Sequence, residues 1–223
     1  MYFHQSSFKF SDTATHYILD KYTDVFNNNF MHDLDINQYF GNNQNEWYHS
    51  LVGNELNTYL KQFNCDTSYY GITAFISNTT DIYLGNPHVD TRFDKQGNPS
   101  TIKSRLNVLV LGTPTDNMFW WDTMRYGDER MIDSSYKDLN GVEYISKSVP
   151  GNTMRERWNY LSEPTMVANN ILTPSAFVRT DCVHTVTCSA GPRLIVTVAL
   201  NKSIEELADV TQRWCTSLVR KRS

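Results

Sequence analysis

The stretch Gly85-Asn86-Pro87-His88-Val89-Asp90-Thr91-Arg92-Phe93 sets an imidazole and a carboxylate two residues apart, just after a strand-like run. Such a pair is either half of a metal site or a polar loop. With six histidines in the chain, about 0.4 His-x-Asp triplets are expected by accident. The triplet therefore acquires meaning only if the chain also supplies a third ligand, an anchor for a cosubstrate and a scaffold. The stretch from Asp181 to Leu200 contains the needed types. His184 lies in a β-branched segment, a Ser189-Ala190-Gly191-Pro192 turn follows, and Arg193 opens the next strand of what reads as a hairpin. An arginine at that offset from a histidine has a chance of roughly 0.15, which brings the joint coincidence to roughly 0.06.

Around these residues the chain has the means to build a core. Its 223 residues are 40% hydrophobic and 13% aromatic, enough for one packed domain and too apolar for a disordered chain. The formal charge of −4 offers no broad cationic field, which counts against duplex nucleic acid as a partner. The basic tail Arg220-Lys221-Arg222 reads as the complement to the negative end of a C-terminal helix. The start lacks a basic region followed by an apolar core, and no apolar run approaches a membrane span. A soluble, cytoplasmic protein without a signal peptide or membrane partner is expected. Cys65, Cys182, Cys188 and Cys215 show no C-x-x-C spacing, so reduced, half-buried thiols are expected instead of a zinc knuckle.

Helical periodicity places one amphipathic helix between Asp12, its expected cap, and Asn27, with a second from Asn45 to Phe63. From Tyr69 onward the texture changes to short β-branched and aromatic runs bounded by Asn and Gly. Strands are predicted at Gly71–Ser77, Asp81–Leu84, Arg105–Leu111, Met118–Asp122, Ser175–Arg179, His184–Cys188 and Arg193–Leu200. Met124–Glu163 is polar, with few apolar runs, and reads as a long insertion: a lid, a binding loop or a solvated excursion. Ser203-Ile204-Glu205-Glu206 is a capping box leading into a helix whose inner face is Ile204, Leu207, Trp214 and Leu218. The expected architecture is a single mainly β domain over 1–223 with flanking helices and a double-sheet β-roll core. Residues 1–68 form a helical N-terminal support, 69–200 the roll with its insertion over 124–163, and 201–223 the C-terminal helix.

His88-x-Asp90, then His184, then Arg193 resemble the iron and cosubstrate signature of the 2-oxoglutarate-dependent Fe(II) oxygenases, over about Gly71 to Leu200. The run Ser104-Arg105-Leu106-Asn107 through Pro114 is also similar to the proline and aspartyl/asparaginyl hydroxylase branch. The resemblance implies a double-stranded β-helix of the jelly-roll or cupin kind. It implies His88, Asp90 and His184 as ligands and catalytic residues, and 2-oxoglutarate and O2 as cosubstrates. It further implies ascorbate as an optional reductant and an amino acid or peptide as the hydroxylated substrate. Arg193 would bind the remote carboxylate of 2-oxoglutarate, and Arg105 and Asn107 would contact cosubstrate or substrate. The family often has a hydroxyl two positions after the arginine, where this chain has Ile195; Thr197 and Tyr83 are candidates to supply it.

The chemistry suits those residue types. Two imidazoles and one carboxylate occupy one face of ferrous iron and leave three positions open, two for a chelating 2-oxo acid and one for oxygen. An arginine fork gives a carboxylate two charge-assisted hydrogen bonds in a geometry lysine cannot match. Strand alternation sets Arg193, Ile195 and Thr197 on one face and Leu194, Val196 and Val198 on the other. Asp90 argues against a halogenase, which needs the carboxylate's position for a halide. Two other readings stand beside this one: a β-roll binding module without metal, and an oxygenase acting on a nucleobase. Trp120 and Trp121 read as core more readily than as pocket lining.

Overall fold

The structure is a computed structural model that describes residues 1–27, 35–39, 51–65, 67–77, 83–93, 99–111, 117–137, 143–169, 174–188 and 191–210. The chain opens with β1 (Phe3–Ser6), α1 (Asp12–Asn27), β2 (Asp35–Tyr39) and α2 (Leu51–Leu60). Then come β3 (Thr67–Ser77), β4 (Tyr83–Leu84), β5 (His88–Val89), β6 (Thr91–Phe93), β7 (Pro99–Thr101) and β8 (Ser104–Leu111). β9 (Asn117–Arg125), β10 (Ile132–Lys137), β11 (Glu143–Ser148) and α3 (Met154–Tyr160) follow. The last strands are β12 (Met166–Asn169), β13 (Ser175–Arg179), β14 (Cys182–Cys188) and β15 (Gly191–Leu200), before a helix over 204–210.

All pairings are antiparallel and make two main sheets. The first has the order β1-β13-β8-β15-β3-β2, and the second β10-β11-β5-β14-β9-β12 with β4 on β14. Alternation along β8 and β15 decides what lies between them. Leu106, Val108, Leu194, Val196 and Val198 point to one side of the first sheet, where they are buried with Ala14 and Ile18 of α1 and Leu56 and Leu60 of α2. Ile204 and Leu207 close the same layer. Each fully buried Leu or Ile there contributes about 1.5–3 kcal/mol relative to exposure. On the other side, Ala176 and Val178 of β13 meet Met118 and Trp120 of β9 and Cys182 of β14. The two sheets thus face each other across an apolar half-core, as a jelly roll does.

Trp120 and Trp121 are both core residues, at 0% and 1% exposure, and alternation sends them to opposite faces. Each indole N–H finds a carbonyl: Trp120 donates to Arg179 at 3.0 Å and Trp121 to Ser162 at 2.6 Å. α1 is capped by Ser11 and not by Asp12, because the Ser11 hydroxyl reaches the Ala14 N–H at 3.1 Å. The Ser203–Glu206 capping box forms as expected, with reciprocal bonds of 3.3 and 2.7 Å. Residues 45–50 of the expected second helix, and Trp214, Leu218 and the basic tail, lie outside the described residues.

The polar stretch 124–163 contributes regular structure to the sheet. β10 and β11 pair with each other, and β11 joins β5 through Ser148 opposite His88. Its few apolar residues carry the packing: Met131 and Val149 are buried with Val89, Trp121 and Val183, and Trp158 and Leu161 cover them. No described helix is long and apolar enough to cross a membrane.

Candidate metal centre

Two side chains of the second sheet, on β5 and β14, converge with a third from the loop after β5, opposite Arg105 of β8. β5 is only two residues long but paired on both sides, with His88 opposite His184 of β14 and Ser148 of β11. Paired residues share a face, so the two imidazoles lie together, ring centroids 4.7 Å apart. Asp90 follows at once and is pinned by its main chain. Its N–H donates to the Thr180 carbonyl at 3.1 Å, and its carbonyl accepts from Ile102 at 3.3 Å. The buried Thr180 hydroxyl ties the same loop to the Ile102 carbonyl at 2.9 Å. One ligand-type atom from each of His88, Asp90 and His184 lies within 4.8 Å of the others.

Both rings are oriented by carbonyls. His88 Nδ1 donates to the Asn86 carbonyl at 2.6 Å and His184 Nδ1 to that of Cys182 at 3.1 Å. This fixes the tautomer and turns the Nε2 lone pairs toward Asp90. Asp90 Oδ1 lies 3.4 Å from His88 Nε2 and 3.9 Å from His184 Nε2. Three acceptors therefore face one another, an arrangement that a cation relieves.

Charge agrees with that arrangement. Burial alone would raise the Asp90 carboxyl, but the Arg105 guanidinium beside it outweighs burial and holds the group well below the usual carboxylate range. Burial pushes the His184 imidazole down to about 4, the neighbouring His88 adds to this, and Asp90 opposes it. One carboxylate and neutral imidazole nitrogen are the forms that bind a divalent ion, and the donor set suits iron and its neighbours in the first transition row.

Arg105 has Asp90 as its partner in the structure. Its Nε donates to Asp90 Oδ2, and both side chains are nearly buried, at 12% and 10% exposure. β8 carries Arg105 on the inward side, across from the loop holding Asp90. Two residues along the same side, Asn107 Oδ1 accepts from the Thr197 hydroxyl at 2.7 Å, with both residues buried. Arg193 pairs in the backbone with Phe75, and Tyr83 with Cys188; the side chains of Arg193 and Tyr83 lie outside the described residues.

Sequence reading overlooked a group behind His88. Asn86 Oδ1 accepts from Ser148 Oγ at 3.0 Å and from Arg157 Nη1 at 2.6 Å. Asn86 stood two places before the histidine, but Arg157 sat within a charged run, Arg155-Glu156-Arg157, that reads as solvated surface. No spacing rule links it to His88. Only the fold of the insertion does.

No protein-family model matches the sequence, and no curated protein does. Among solved structures, the chain is similar to the viral collagen prolyl hydroxylase vCPH of Paramecium Bursaria Chlorella virus-1, in its 2OG complex. That likeness covers 90% of this chain and 95% of that one at 7% identity, with a TM-score of 0.42. It is also similar to HygX from Streptomyces hygroscopicus with nickel and 2-oxoglutarate bound, over 89% of this chain and 80% of that one at 8% identity, with a TM-score of 0.38. The chemistry of this site has to be read from its own side chains.

Proposed function

We propose that this chain is an Fe(II)- and 2-oxoglutarate-dependent dioxygenase that hydroxylates a C–H bond of an amino acid or a protein side chain. The observation carrying this reading is the convergence of His88, Asp90 and His184, each ring with its Nδ1 already committed to a carbonyl. These three would hold the iron by Nε2, Oδ1 and Nε2. When bound, ferrous iron supplies the redox chemistry, coupling decarboxylation of 2-oxoglutarate to succinate with transfer of one oxygen atom of O2 to carbon.

The chain's own residues prepare and protect that chemistry. Arg105 keeps Asp90 a carboxylate and occupies the oxygen that faces away from the imidazoles. The half-core around Trp120, Ala176 and Val178 keeps one side of the roll dry, which strengthens every charge interaction beside it. Arg193 has the strand parity of Thr197 and Ile195 and would bind the remote carboxylate of 2-oxoglutarate, with Thr197 or Tyr83 as the hydroxyl partner.

Titrating 2-oxoglutarate under nitrogen into the iron-loaded protein, and following the metal-to-ligand charge-transfer band, tests the reading. The parent should bind. Arg193→Ala should leave iron affinity unchanged and weaken 2-oxoglutarate by about thirtyfold to several thousandfold, the usual loss when one partner of a sheltered charge pair is removed. A parent that develops no band overturns the assignment; where the band forms, screening amino acids, peptides and oligonucleotides for succinate release identifies the substrate.

A further inference from the structure

We infer that Arg157, in the helix of the insertion, is a positioning residue for the His88 imidazole, acting through Asn86; the inference rests on the metal-centre reading above. The two histidines are supported differently. His184 donates its Nδ1 proton to a carbonyl of its own strand, that of Cys182. His88 depends on the Asn86 carbonyl in the loop before β5, and its side chain is 33% exposed against 6% for His184. A loop carbonyl orients a ring only if the loop itself is held.

Arg157 holds it. Its Nη1 donates to Asn86 Oδ1 at 2.6 Å and to Ser148 Oγ at 3.1 Å, while its Nε donates to the Gly151 carbonyl at 3.0 Å. Ser148 is fully buried, is paired with His88 across β11 and β5, and donates to the same Asn86 oxygen. Asn86 is thus fixed at its side-chain end by a cation and presents its main-chain oxygen to the ring. The next residue of the helix grips the preceding loop position: Trp158 Nε1 donates to the Gly85 carbonyl at 3.0 Å. The helix is anchored in turn. Thr153 and Glu156 form a capping box, and Gly151, at φ +143, lets the chain pass where an added Cβ would stand 2.8 Å from Arg157 Cγ. Charge-assisted bonds of this kind are the short, strong ones. Without the guanidinium, Asn86 is released, the Nδ1–H tautomer of His88 loses its support, and the alternative tautomer protonates the nitrogen that faces Asp90.

The test uses the full chain with Arg157→Met, Arg157→Lys and Asn86→Ala, and it reads two quantities. The first is Mn(II) affinity by electron paramagnetic resonance. Arg157→Met and Asn86→Ala should each weaken it by about tenfold to a hundredfold, the usual effect of removing a group that orients a ligand. Arg157→Lys, whose ammonium can still donate to Asn86 Oδ1, should recover part of the loss. The second is the imidazole proton-nitrogen spectrum of the metal-free protein at mildly alkaline pH. The parent should show His88 as the Nδ1–H tautomer, and Arg157→Met should show the Nε2–H form growing in while His184 stays unchanged. A purely structural role for the helix would shift the unfolding midpoint without moving this equilibrium. Parent-like Mn(II) affinity and an unchanged His88 spectrum in folded Arg157→Met overturn the inference. If Arg157→Met does not fold, Asn86→Ala decides by the same criteria. His88→Ala separates the two readings: if it binds Mn(II) as tightly as the parent, the metal-centre reading fails, and the metal-free spectrum alone still reports whether Arg157 sets the ring.

Discussion

Replacing Arg105 by Leu should cost the metal-free protein far more than the metal-loaded one. Arg105 is the charge partner of Asp90 Oδ2, and the two side chains are only 12% and 10% exposed. Removing one member of such a pair strands the other in a low-dielectric site and typically costs about 3–5 kcal/mol. For a domain of this size each kcal/mol lowers the melting temperature by about 2–4 °C, so a fall of roughly 6–20 °C is expected in the presence of a chelator. A divalent ion at the cluster returns positive charge to the same carboxylate. Saturating Mn(II) should therefore raise the melting temperature of Arg105→Leu more than that of the parent. Arg105→Lys keeps the charge without the planar fork and should fall between them. Differential scanning fluorimetry with chelator and with Mn(II), supported by urea titration, gives the comparison. Equal melting of parent and Arg105→Leu in chelator would show that this pair does not hold the Asp90 charge, and equal Mn(II) gains would remove the carboxylate from the ligand set.

Other expectations are quickly tested. Gly85→Ala places a Cβ 2.4 Å from the Val186 carbonyl oxygen and 2.6 Å from Thr185 Oγ1; backbone cannot give way cheaply, so a loss of about 1–3 kcal/mol in urea unfolding is expected, and a neutral result would mean the loop can reseat. His184 titrates at about 4 in the fold against 6.5 when exposed, so the unfolded chain takes up this proton first. Stability of the metal-free protein should hold above about pH 6.5 and fall as pH drops toward 4, and His184→Asn should flatten that segment of the urea-midpoint profile. The Cys182 thiol is pushed up to about 12, first by burial and then by Asp181; it should resist alkylation in the native protein at neutral pH and label only on unfolding, as read by peptide mass spectrometry.

The parts of this molecule that sequence discloses are those governed by side-chain period. β13, expected over Ser175–Arg179, occupies those residues, because Phe177 and Val178 sit in a short run between clear turn signals. β5, β10 and β11 went unread for the opposite reason. β5 is two residues long, and a strand such as Ile132–Lys137, rich in Ser and Asp, is held by its backbone ladder and by neighbours, not by an apolar face. The grouping of His88, Asp90 and His184, which the fold brings together, was open to sequence reading because ligand chemistry restricts residue type and order. Arg105 was visible as a residue, but its partner was not. Which inward-facing groups meet across two sheets depends on register, which local spacing does not contain. Arg157 lay deeper still, since its link to His88 runs through a loop, a strand and a helix of the insertion.

Among the described residues, the short strand that carries His88 pairs with no neighbouring segment of the chain. Its ladder is completed by β14, roughly a hundred residues later, and by β11, some sixty residues later, so both closures must form before the site exists. Assembly of the ligand set is consequently a late event in folding. If the trio holds a metal as proposed, a partly folded chain would present only the His88-x-Asp90 pair and would grip the ion weakly, so metal uptake would report completed topology. In refolding experiments, metal added at the start should leave the rate of chain collapse unchanged and should slow unfolding instead.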